Sequence, residues 1–262
     1  MVPALMRKTW RDDRRAILGW AAGVAAFTAV YSAFYPQFQG AAELKQDALP
    51  KGVLDFLGVA DFLSPAGYLQ ASIFGLLGPL LVLMCTVTVV ARTIAVPEEG
   101  GGMELLLANP VSRTAFAGQR LAAAGLAVTA VAAIPWLLLM VIVPAVDMDI
   151  PLSSVAAAGF GLVALAWCFG GLAFLVGAAT GRRASVLAVT GIVAVATYMA
   201  NAVSGMAQGW SWLRWWSPFH YFLGTDPLRT GWHPGSLMVL VLAGAVAVVA
   251  GVILFDRRDV GV

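Results

Sequence analysis

Apolar residues in this chain are gathered into long unbroken runs; they neither alternate with polar positions nor recur on one helical face. A helix crossing a hydrocarbon layer of about 30 Å needs about 20 mostly apolar residues, each adding about 1.5 Å. Six runs meet that requirement: Ala16 to Phe34, Ala71 to Ala91, Leu121 to Val146, Val155 to Ala179, Ala184 to Met206 and Leu237 to Phe255. None has a Lys, Arg, Asp, Glu or His in its interior. The pattern predicts an all-α membrane protein with six transmembrane helices. Pro79, Pro135 and Pro144 remove backbone donors inside the second and third runs, so kinks are expected there. Glycines four apart, at Gly19 and Gly23 and at Gly177 and Gly181, are candidates for close helix approach.

Composition and charge sharpen this picture. The 262 residues are 60% apolar and 11% charged, where ordinary soluble domains carry about 25% charged residues. A net charge of +2 is too small to imply a nucleic-acid partner. The basic residues are unevenly placed. Arg7, Lys8, Arg11, Arg14, Arg15, Arg92, Arg113, Arg120, Arg182, Arg183, Arg257 and Arg258, twelve of the sixteen, fall on one side of a six-span arrangement. Only Lys45, Lys51, Arg214 and Arg229 fall on the other. Since Lys and Arg are retained in the cytoplasm, both termini are expected there. The first run is too long for the apolar core of a cleaved signal sequence, which spans about 7 to 15 residues. Cys85 and Cys168 lie in separate spans and read as small buried hydrophobes. The organisation expected is an amphipathic helix over 1–15 and one six-helix transmembrane domain over 16–262.

Several chemistries are disfavoured. No glycine-rich phosphate loop ending in Lys-Ser or Lys-Thr occurs, so nucleotide hydrolysis by that route needs a partner. Ser204 follows Ala202 and Val203 without the glycine an intramembrane serine nucleophile usually has two residues before it. His220, His233 and Asp226 match no usual zinc spacing, so neither catalytic nor metal-ligating residues are expected. Ion-coupled transport normally leaves an ionisable residue inside the membrane, and these spans hold none.

Two cytoplasmic segments carry more information. In the first fifteen residues Val2, Leu5, Met6 and Trp10 share one helical face while Arg7, Lys8, Arg11 and Arg14 take the other. That is a surface helix, fit either for the anionic headgroup layer or for docking a protein. In the second connection, Pro97 and Gly100 to Gly102 are expected to interrupt the preceding span. Met103 to Ala108 can then form a turn or two before Asn109-Pro110 stops them. Leu105, Leu106 and Leu107 make an apolar cluster where water is expected, suited to folding back on the membrane or entering a partner's groove.

At these residues the chain resembles the type-2 ABC exporter permeases, particularly those of bacterial antibiotic or multidrug export. The family's loop resembles Glu-Glu-x-Gly-x-x-Glu-Leu, an apolar pair, then Pro-Val-x-Arg; here the matching positions are Glu98, Glu99, Gly101, Glu104, Leu105, Pro110, Val111 and Arg113. Ser217-Pro-Phe-His-Tyr-Phe with Asp226-Pro-Leu, and Phe255-Asp-Arg-Arg-Asp, are also similar to the family, whereas Pro97 and its glycine run depart from it. The resemblance implies a multi-pass half-transporter of the bacterial plasma membrane. Two six-helix subunits, expected here as a homodimer, would bind two cytosolic ATPase subunits, which would carry the ATP and Mg while this chain holds no cofactor. It further implies a coupling helix formed by Glu98, Glu99, Gly101, Glu104, Leu105, Leu106, Pro110 and Arg113, an interface helix with Leu5, Met6, Arg7, Trp10 and Arg11, and a re-entrant segment among the aromatics from Trp210 to Trp232. Thr86, Thr88, Tyr198 and Asn201 are candidates for a pathway taking an amphipathic or hydrophobic substrate such as an antibiotic, drug or lipid, or else for helix packing. A membrane scaffold without transport and an ion-coupled transporter are the alternatives.

Overall fold

A computed structural model describes residues 2–37, 64–99, 113–206 and 210–257, with side chains over 14–37, 64–93, 118–204 and 210–256. Its described residues form helices and connecting turns. In chain order they are α1 (Val2–Ala33), α2 (Pro65–Leu69), a π-helical turn (Gln70–Gly75), α3 (Leu77–Glu99), α4 (Arg113–Ala132), α5 (Ile134–Ala145) and α6 (Leu152–Thr180). After these come α7 (Arg183–Met206), a 3-10 turn (Ser211–Trp216), α8 (Pro218–Leu223), α9 (Pro227–Thr230) and α10 (Pro234–Arg257). Six stretches are long and apolar enough to cross a membrane: Arg14–Gln37, Pro65–Thr93, Gly118–Ala145, Leu152–Thr180, Arg183–Ser204 and Pro234–Asp256. Each overlaps one of the six apolar runs. The chain is a multi-pass membrane protein.

Helix α6 is the centre of the bundle, packed against α3, α4, α5, α7 and α10. Its contact with α10 is the most intimate, and the reason is the absence of side chains. A Cβ on Gly171 would lie 2.4 Å from the carbonyl oxygen of Gly244, and one on Gly251 2.6 Å from the Phe174 ring. Small residues let backbones approach where lipid supplies no hydrophobic drive for helix association. The glycine pairs singled out by spacing act differently. Gly19 and Gly23 have nothing within 4 Å of a built Cβ, while Gly181 ends α6 in the left-handed conformation at φ 63°, which glycine adopts without steric cost.

The prolines do as expected in part. Pro135 restarts the third span as α5 after a break at Ala133, and Pro144 sits inside the last turns of α5. Near Pro79 the second span is broken earlier: six residues, Gln70–Gly75, wind as a π-helix before α3 begins. Gly78 makes this possible, because a Cβ there would meet the Ile73 carbonyl oxygen head-on. The π-turn was not foreseen. Both polar atoms of the buried Gln70 amide have no hydrogen-bond partner among the described residues.

Pro97 does not interrupt the span, contrary to expectation; α3 continues through it to Glu99. Having no N–H, Pro97 cannot serve the Thr93 carbonyl four residues back. The Arg120 guanidinium of α4 donates to that oxygen instead, Nη1 to O 2.6 Å. The amphipathic stretch and the first span are likewise continuous: α1 runs unbroken for 32 residues. At about 1.5 Å per residue it is longer than a hydrocarbon layer of about 30 Å, so part of it extends beyond the apolar zone.

Candidate functional site

An apolar cleft of about 430 Å³ opens between α3 and α7, with Phe169 of α6 and Phe219 of α8 contributing to its wall. Leu80, Leu83, Met84 and Val87 line it from α3, and Leu187, Ala194, Val195 and Met199 from α7. Leu80, Met84, Val195 and Met199 are also exposed at the bundle surface, so the mouth is lateral, between two spans. On α7 the wall positions 187, 190, 191, 194, 195 and 198 follow the three-four spacing of one helical face. No Lys, Arg, Asp, Glu or His is among the lining residues. A guest here meets methyl, methylene and ring surfaces, with three hydroxyl-bearing residues, Thr88, Thr190 and Tyr198, on the wall.

The structure separates the four residues put forward as pathway candidates. Thr88 and Tyr198 lie on the cleft wall. Tyr198 stands edge-on to Phe219, ring centroids 5.2 Å apart. Thr86 is fully buried and its hydroxyl donates to the Val82 carbonyl at 2.8 Å, so it serves its own helix. Asn201 is half-buried and is not among the lining residues; its backbone carbonyl accepts from the Ser204 hydroxyl at 2.7 Å. Thr190 and Gly191 were missed. The signal that would have found them is the face they share with Tyr198 in an otherwise apolar span.

The α7–α10 connection closes the cleft at one end. Buried Ser217 caps α8: its hydroxyl donates to the Thr197 carbonyl of α7 at 2.7 Å and accepts from the Phe219 N–H at 3.2 Å. Phe219 and Phe222 are thereby turned inward. Phe222 packs against Phe74, with centroids 6.4 Å apart, and over Gly161, where a Cβ would lie 3.0 Å from its ring. Trp210, Trp212, Trp215 and Trp216 of the same connection remain exposed. His220 sits edge-on to Trp215 at 5.2 Å. Burial, helped by the nearby positive charge of Arg214, pushes its imidazole below the ordinary 6.5. Asp226, in the left-handed conformation at φ 45°, is raised above the usual carboxylate value by burial, and Arg229 opposes that shift. Arg229 reaches Asp226 (Nε to Oδ2 3.5 Å) and donates to Ser64 Oγ at the start of the second span (2.7 Å). His233 Nε2 lies 2.9 Å from Thr230 Oγ1. No cluster of three metal-ligating side chains occurs among the described residues.

With a six-span bundle and a lateral apolar cleft in place, the family comparison is decisive. Residues 8–256 match the family described as multidrug efflux system permease Rv1217c, C-terminal domain. The chain belongs to this family. Among curated proteins none matches it. Membership makes the chain a transmembrane permease of the multidrug-export type.

The permease's expected docking residues fall into two groups. Gly101, Glu104, Leu105, Leu106 and Pro110 fall outside the described residues. Glu98 and Glu99 are the last two positions of α3 and Arg113 is the first of α4, with the backbone alone described. Leu5, Met6, Arg7, Trp10 and Arg11 lie on the first part of α1, likewise described by backbone only.

Proposed function

We propose that this permease is the membrane half of an ATP-driven exporter that moves amphipathic or hydrophobic molecules out of the cell. The observation carrying this reading is the lateral cleft, because a site that opens between spans admits a guest dissolved in the bilayer without passage through water. Its apolar walls favour such a guest and offer no partner to a bare ion. A second copy, in keeping with a homodimer, would pack so as to leave this mouth open to the bilayer. Both termini would lie in the cytoplasm, a reading supported by the distribution of basic residues, and the inward-turned α8 would be the re-entrant segment on the opposite side.

Energy would come from a separate cytosolic ATPase holding ATP and Mg, since this sequence has no phosphate-binding loop. The chain between α3 and α4 would be the coupling element, with Glu98, Glu99 and Glu104 matched to basic groups on the ATPase and Leu106 set into its groove. The N-terminal part of α1 would lie beside it. The test is the double variant Glu99→Lys/Glu104→Lys together with Leu106→Ala. Membrane abundance should stay at the parent level, while export and stimulation of the partner ATPase should be lost with the charge reversal. The truncation should weaken docking by roughly 1–3 kcal/mol. Parent-level export and ATPase binding in both variants would overturn the coupling assignment. Stable ATPase binding without any ATP-dependent export in the parent would leave a scaffold.

A further inference from the structure

Five of the eight threonines in the spans share a habit. Thr28, Thr86, Thr129, Thr180 and Thr197 each donate the side-chain hydroxyl to the carbonyl four residues back, at 2.7–2.9 Å. This is the usual way to satisfy a hydroxyl inside a helix that has no water. Thr190 breaks the habit. It is fully buried, it lines the cleft, and its Oγ1 has no hydrogen-bond partner among the described residues. Beside it, Gly191 also lines the cleft, and a Cβ built there meets nothing within 4 Å. A hydroxyl without a partner therefore borders a hollow large enough for a small molecule.

We infer that Thr190 is the specificity-determining residue of the cleft, selecting among apolar guests those that carry a neutral hydrogen-bond acceptor such as a ketone, ester, amide carbonyl or ether. The inference deepens the export reading and rests on it for the identity of the guest as substrate. What Thr190 lacks, relative to those five threonines, is the bond in which its hydroxyl donates, so the complement is an acceptor. Because Thr190 is fully buried beside the cleft, its hydroxyl meets a guest only when the side chain turns about Cα–Cβ toward the hollow. With no ionisable Lys, Arg, Asp, Glu or His on the lining, a charged acceptor would find no counter-ion and would remain in water. A neutral acceptor loses little on leaving the lipid and gains a bond in the cleft.

Fluorene and 9-fluorenone test this, because they share one rigid frame and differ by a carbonyl. The full chain is purified into lipid nanodiscs, and the rise of its unfolding midpoint is followed as each compound is titrated. The parent should bind both saturably. Thr190→Val, which keeps the shape and removes the hydroxyl, should weaken 9-fluorenone by about 3- to 10-fold and leave fluorene within about twofold. It should also raise the midpoint of the ligand-free protein, since an unsatisfied buried hydroxyl is gone; a threonine that served only its own helix would lower it. Thr190→Ser should behave like the parent. Gly191→Phe, or Gly191→Leu if the larger ring prevents insertion, should abolish binding of both compounds and so locate them in the cleft. Four results would each overturn the inference: equal weakening of both compounds by Thr190→Val, no weakening of either, 9-fluorenone binding untouched by the Gly191 variant, or no saturable binding to the parent. Binding at equilibrium uses no ATP. Selective binding without export would sink the export reading alone, and export with unselective binding would sink this inference alone.

Discussion

Helices α6 and α10 are both long and apolar, yet the more apolar of the two is the less buried. In α6 67% of the most apolar window lies inside the protein, against 17% in α10. In a water-soluble bundle that order would be paradoxical. Here the solvent for α10 is hydrocarbon, so exposure of Val241, Val246 and Val249 carries no penalty and apolarity stops reporting burial. What distinguishes α6 is smallness: Ala and Gly recur on the faces it buries, and backbones meet there directly. Interior position in this protein is written in side-chain volume.

The sharpest way to break that comparison is to add volume where the two helices touch. Gly171→Leu should cost about 3 kcal/mol or more, because its Cβ would press on the backbone of Gly244 and backbone relaxes less than a side-chain end. Val246→Leu on the exposed face of α10 should stay within about 0.5 kcal/mol. Reversible unfolding in mixed micelles measures both, and equal effects would dissolve the distinction.

The same division runs through the α7–α10 connection and predicts a smaller contrast. Phe222, 2% exposed, is wedged between Gly161 and Phe74, whereas Trp216 is 79% exposed. Phe222→Ala should cost about 2–3 kcal/mol, largely as an unfilled cavity, since lipid and not water is the alternative surroundings for much of the ring. Trp216→Ala should change stability by less than about 0.5 kcal/mol. A larger loss at Trp216 would mean that the exposed tryptophans are packed against something beyond this bundle.

The smallest effect expected is a pH dependence from His220, which lies on the inner side of that division. Its folded pKa is lowered, so the unfolded chain takes up a proton first as pH falls below the ordinary 6.5. Stability should then be full above that value and decline as pH drops through the window beneath it. His220→Gln should flatten the decline when unfolding midpoints are compared between about pH 7.5 and 5.5. Asp226 has the opposite sign: its raised pKa favours the folded state as acid is added, through a window that lies above its ordinary 3.8 and closes there. An unchanged slope in His220→Gln would show that the imidazole titrates freely.

Much of the architecture was legible because a spanning helix must be long and free of charge, and those are properties of a linear string. All six runs became spans. The faces were harder to read. In α10 and α6 nearly every residue is apolar, so periodicity gives no inward direction, and glycine spacing drew attention to Gly19 and Gly23, where an added Cβ would meet nothing within 4 Å among the described residues. The π-turn at Gln70–Gly75 depends on a carbonyl filling the space where Gly78 has no side chain, a three-dimensional coincidence with a weak sequence trace. Within the cleft, Thr88 and Tyr198 were visible as polar residues in apolar spans. Thr86 has the same appearance and is bonded to its own helix, since a hydroxyl's partner cannot be read from its position in a string.

The bond from Arg120 to the Thr93 carbonyl has a mechanical consequence. Pro97 leaves that oxygen vacant on α3, and the guanidinium fills the vacancy from α4. The proline that would ordinarily soften α3 near its end is thus the reason the two helices share a strut. Displacing the end of either helix strains a charge-assisted bond to the other, so the pair resists shearing and responds to a push as one stiff bracket.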